Sequence, residues 1–142
     1  MLEAILVLNA IWFVMGFNVF SLRPKIFAKL VVPKAQRDTP VFDILIHSGR
    51  FLGGFNFAFA LCNILLLANM DVFTTNEQYA ILLVVFAVAH ASQFIFNVPV
   101  AIENKRGVGV WQVLKGTMLF IFVTDLIMAL LNLLLAVLLY FG

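Results

Sequence analysis

Charge is scarce in this sequence. Only 11% of its 142 residues are Asp, Glu, Lys or Arg, while 64% are hydrophobic. A soluble domain carries about 25% charged residues, because they cover its surface. A mean hydropathy of +1.10 leaves too little polar material for a water-facing shell. Cysteine is nearly absent too. The single Cys62 lies in an apolar stretch, makes no internal disulfide and reads as a small packing residue. No basic stripe interleaves with aromatics, so nucleic acid is not an expected partner. The sequence also lacks a G-x-S-x-G elbow, a P-loop, an H-E-x-x-H pair and a glycine-rich nucleotide fingerprint. Gly107-Val108-Gly109 reads as a flexible turn. No second His or Cys stands at ligand spacing from His90, so neither metal nor cofactor is expected.

Long apolar runs are abundant. A helix crossing about 30 Å of hydrocarbon needs about 20 mostly apolar residues. Four stretches qualify: 2–20, 47–70 with an apolar lead-in from Val41 to Ile46, 79–100 ending near Pro99, and 116–140. Isolated strands would leave backbone groups unpaired in lipid, so the spans are expected to be helical. The first run has no basic leader or small-residue cleavage site, and it reads as a retained anchor. The expected fold is therefore all-α: one polytopic domain over 1–142, a bundle of four transmembrane helices.

The basic residues test this count. Arg23, Lys25, Lys29, Lys34, Arg37 and Arg50 lie between or beside the first two spans, and Lys105, Arg106 and Lys115 between the last two. The remaining link, Asp71 to Gln78, carries Asp71 and Glu77 and no base. Four crossings put both basic links on one face, and the positive-inside pattern then places both termini on the outer, non-cytoplasmic or equivalent side. Within the basic link 21–40, Lys25 to Val31 alternates lysine with large apolar groups. It reads either as a surface-lying segment facing anionic head groups or as a plain loop.

Polar residues inside lipid need a partner, a cavity or the interface. Asp43, His47 and Arg50 share one stripe of the second span, at i, i+4 and i+7. Beside it runs a face of small and amide residues, Gly49, Gly53, Asn56, Ala60 and Asn63. There another helix can approach closely, and Asn56 and Asn63 can bond across. The third span presents His90, Gln93 and Asn97; the fourth presents Asp125 and Asn132. Asp125 lies about 13 Å from Gly116 at 1.5 Å per residue. By depth, Arg50, Gln93, Asn97 and Asp125 are expected to meet, with His47 and His90 completing a candidate polar cluster. Gly49, Gly53, Asn56 and Ala60 form the candidate helix-packing face. The cluster reads as a buried pair that fixes helix contacts or as a proton-relay, lipid-head-group or catalytic site.

Gly49-Arg50-Phe51-Leu52-Gly53, followed about one helical hairpin later by Ala89-His90-Ala91-Ser92-Gln93, with Trp12 and Asn18 in the first span, resembles the small four-helix scaffold proteins of ergosterol biosynthesis. The resemblance covers about residues 10 to 140. It implies a non-enzymatic tether that gathers the sterol C4-demethylation enzymes in the endoplasmic reticulum, with Arg50, His90 and Ser92 as matching polar positions. Gln93 stands where that family leads one to expect an acid, the first basic link is long, and no basic tail follows the fourth span.

The expected function is thus a non-enzymatic scaffold or accessory subunit. Its partners are other integral membrane proteins of a larger complex and membrane lipids. A respiratory assembly of the mitochondrial inner membrane is the alternative setting. A small membrane enzyme or lipid-binding protein using His90, Arg50 and Asp125 is a second reading, although the arginine- and asparagine-rich motif of microsomal glutathione transferases is missing. A proton-coupled transporter protomer is a third. Small multidrug exporters place an acid deep in the first span, whereas Glu3 is terminal, so Asp125 would have to substitute.

Overall fold

From Leu2 to Leu22 the only charge is Glu3, and from Gly116 to Phe141 it is Asp125. Runs of this kind have few places to satisfy a backbone group except within a helix. The computed structural model describes all residues, Met1–Gly142, and is built of helices without strands. Helix α1 is Leu2–Phe17, α2 Pro24–Val31, α3 Pro40–Ser48, α4 Arg50–Ala68, α5 Asn76–Lys105 and α6 Gly116–Phe141. Four spans are long and apolar enough to cross a membrane: Leu2–Leu22, Pro40–Ala68, Asn76–Lys105 and Gly116–Phe141. Phe51, Phe96 and Phe141 are 78%, 79% and 81% exposed. Such bare aromatic surface suits a lipid solvent.

Two span boundaries differ from the sequence expectation. The second span starts at Pro40, because Pro40 takes the first helical turn and the lead-in Val41 to Ile46 is itself helical. It is interrupted only at Gly49, between α3 and α4. The third helix runs past Pro99 to Lys105. A proline removes one backbone hydrogen bond, and the turns on either side carry the helix across it. At its start, Thr75 and Gln78 form a reciprocal capping box.

The basic link is folded. α1 widens into a π-helical turn at Asn18–Leu22, α2 follows with Pro24 in its first turn, and Lys34–Gln36 forms a short 3-10 turn. Ala28 of α2 is fully buried, and Phe27 packs its ring against Phe20 at 4.5 Å between centroids. The second basic link turns at Gly107, whose φ of +73° favours glycine. Asn104 then staples the link. Its Oδ1 accepts from the backbone N–H of Val113 and Leu114, and its Nδ2 donates to the Trp111 carbonyl.

α1 packs along α4, and α5 along α6. The two pairs meet at a seam whose apolar core draws Leu6 and Phe13 from α1, Ala60 from α4, Leu83 and Phe86 from α5, and Leu135 from α6. α1 and α6 are antiparallel there, since Asn9 meets Asn132 and Trp12 meets Asp125. Both chain ends therefore lie at one end of the bundle, and both basic links lie at the other.

Candidate functional site

Asn9 and Trp12 stand three residues apart on α1 and share a face; Asp125 and Asn132 stand seven apart on α6 and share another. His90 of α5 fills the space between them. Its Nδ1 lies 3.1 Å from Asp125 Oδ1, and its Nε2 lies 3.2 Å from Asn9 Oδ1. Trp12 Nε1 donates to the same Asp125 oxygen at 2.9 Å. Asn9 and Asn132 bond each other reciprocally. Asn9, His90 and Asn132 are fully buried, and Asp125 is 1% exposed. Phe13 stacks on the imidazole at 4.7 Å, and Phe120 meets Trp12 edge-on at 5.7 Å.

Donor and acceptor roles can be traced through this network from one end. Asn132 Nδ2 donates to the Met128 carbonyl at 2.8 Å, and a carbonyl only accepts. That fixes the Asn132 amide so that its Nδ2 also reaches Asn9 Oδ1, and Asn9 Nδ2 donates in return to Asn132 Oδ1. Asn9 thus presents an oxygen to His90 Nε2, and that nitrogen must carry hydrogen. On the other side of the ring, Nδ1 and Asp125 Oδ1 lie 3.1 Å apart, close enough for a hydrogen bond. Pairing each buried polar atom with another suits a site this deeply buried.

Of the candidate cluster, the structure brings together His90 and Asp125. Arg50 does not reach Asp125, whose partners are His90 and Trp12. Arg50 and His47 line a separate surface concavity with Arg23 and Lys25. The reason is register: Arg50 opens α4 at the basic end, whereas Asp125 is nine residues into α6. Gln93 is half-buried and faces a different space, and Asn97 donates to the Gln93 carbonyl of its own helix. Asn9, Trp12 and Asn132 lay outside the expected cluster. Asn9 is an amide inside an apolar span, and matching its depth with Asn132 on an antiparallel helix was the signal available for it.

The small-residue face of the second span receives the first span and α2. A Cβ at Gly53 would collide with the Ser21 side chain and backbone nitrogen, and one at Gly49 would press on the Phe27 ring. Asn56 sits against Gly16, and Ala60 is buried. Asn56 and Asn63 do not bond across helices. Each donates to the carbonyl four residues earlier, Leu52 and Phe59 respectively, which is the nearest acceptor in a helix. Asn63 Oδ1 is buried without a partner.

Between α4 and α5 the seam opens into a cleft of about 520 Å³. Phe13, Phe20, Phe55 and Phe59 line one wall, Val84, Val85 and Val88 the other, and Asn56, Ser92 and Gln93 supply its polar atoms. Ser92 Oγ donates to the Ala89 carbonyl. The cleft is an apolar groove with a polar patch; the His90 network lies behind Phe13, out of its reach.

Comparison with protein-family models, curated proteins and solved structures gives no match.

Proposed function

We propose that this chain is a non-enzymatic integral membrane scaffold or accessory subunit that holds larger membrane proteins together through helix–helix contacts. The carrying observation is that the buried His90–Asp125 constellation is occupied by other side chains of the same chain. Both ring nitrogens of His90 face protein oxygens, and the network bonds α1 to α5 and α6. Such a network locks a bundle in one register. A substrate for a His90-based reaction would first have to displace Phe13 and Asn9. Outside the network, the exposed phenylalanines and short links leave the spans free to pack against other spans.

The resemblance in 49–53 and 89–93 favours the endoplasmic reticulum and sterol C4-demethylation enzymes as partners, with the mitochondrial inner membrane as the alternative. Collection of all basic links at one end favours that end facing the cytoplasm, or the matrix in the alternative, with both termini outside.

The test is removal of the chain from its native membrane. Two larger integral proteins that co-purify with it in mild detergent should then lose association with each other, while each remains folded. Persistence of their association without this chain overturns the proposal.

A further inference from the structure

Arg23, Lys25 and Arg50 converge on one concavity of about 570 Å³ at the basic end of the bundle. They come from three parts of the chain. Arg23 follows the wide turn that ends the first span, Lys25 lies in the first turn of α2, and Arg50 opens α4. Backbone and small-residue contacts hold these segments together, so the shape does not depend on the cationic side chains. Ser21 Oγ donates to the Arg50 backbone carbonyl at 2.9 Å, Gly53 admits Ser21 at close range, and Phe27 covers Gly49.

The charges in this concavity are not matched. Asp43 is the only carboxylate among its lining residues, against the three cations, with His47 beside them. None of the three cations makes an ion pair; the chain's one such contact is His90 with Asp125. Gathering like charges is unfavourable unless an anion sits among them. Leu22, Ile26 and Ile46 give the concavity an apolar part. Leu22 is also the last residue of the first membrane span, which places the site at head-group depth.

The geometry points to a binding site for the phosphate of an anionic phospholipid, held by Arg23, Lys25 and Arg50. Two guanidinium forks can each take two phosphate oxygens, and the ammonium group adds a mobile point charge. The apolar residues meet the glycerol and upper acyl chain. This site is separate from the His90 network and does not rest on the scaffold proposal.

The test uses the full chain in nanodiscs of phosphatidylcholine doped with phosphatidic acid, with retained lipid counted by native mass spectrometry. Arg23→Gln with Arg50→Gln should lower phosphatidic acid retention by about 100-fold, since each charge-assisted guanidinium–phosphate contact is worth about ten-fold or more. Both side chains are exposed, and the Ser21 bond goes to the Arg50 backbone, so the variant keeps its fold. Asp43→Asn should raise retention by about five-fold. Lys34→Gln with Lys105→Gln removes the same charge from the same end but no contact in the concavity, and should lower retention far less than the Arg23 and Arg50 pair. Equal loss from both double variants overturns the site in favour of a diffuse field. Release of the lipid by equimolar inorganic phosphate overturns the lipid assignment.

Discussion

The side-chain amides of Asn9 and Asn132, 123 residues apart in sequence, bond each other in both directions at 2.8 and 2.9 Å. This pair ties the two helix pairs together at the middle of the seam, and its orientation is set by a third bond, from Asn132 to the Met128 carbonyl. A cross-helix amide pair inside a membrane contributes about 1 kcal/mol, a modest amount because the separated helices also find partners for these groups. Asn9→Ala and Asn132→Ala should each lower stability. A double-mutant cycle, read by unfolding in mixed micelles, should give a coupling of about 1 kcal/mol. Simple additivity would mean the pair does not act as a latch.

The same orientation requires hydrogen on His90 Nε2. Long-range nitrogen–proton correlation of His90 in bicelles should show hydrogen on Nε2. A spectrum with hydrogen on Nδ1 alone would contradict the network.

Asp125 receives Trp12 and His90 on a single oxygen. An amide oxygen only accepts, and with hydrogen on Nε2 a neutral imidazole turns a bare Nδ1 toward it, so the Trp12 bond can be kept there but not the His90 bond. Asp125→Asn should therefore cost about 1–3 kcal/mol of stability by leaving one buried partner unmade. Adding Trp12→Phe removes the indole donor and should recover part of that loss. Thermal denaturation of the wild type, both single variants and the double variant measures this.

Gly53 and Gly54 are neighbours on α4 with opposite surroundings. A Cβ at Gly53 meets Ser21, while one at Gly54 meets nothing within 4 Å. Gly53→Ala should destabilise by about 1–3 kcal/mol through overpacking. Gly54→Ala should leave the melting temperature unchanged or slightly raised, since alanine is the better helix former. Equal behaviour of the two would remove the close approach of Ser21.

Topology is tested in a Cys62→Ala background with single cysteines. Positions 1, 73 and 142 should react with an impermeant thiol reagent from one side of sealed vesicles, and positions 35 and 108 from the other.

The spans were legible because hydrocarbon imposes a simple demand: about 20 apolar residues with every backbone group paired internally. The collection of bases beside Leu22 and after Ala101 likewise placed both links at one end. Helix ends were less legible. Pro99 read as a terminator, yet a long apolar helix crosses it, and Pro40 turned out to open a span rather than precede one.

Partner choice is where sequence and tertiary structure part. Composition and spacing determined by themselves that the chain is helical, suited to a membrane, and polar at His90 and Asp125. Periodicity places a side chain on a face of its own helix but does not rotate one helix against another. The rotation of α1 against α5 and α6 decided that Asp125 takes His90 and Trp12 and that Asn9 joins them, while depth along the bundle kept Arg50 away. Folding of the basic link decided that Arg23 and Arg50 sit together. Both outcomes depend on close contacts at a few points, such as Ser21 on Gly53, which only the packed bundle contains.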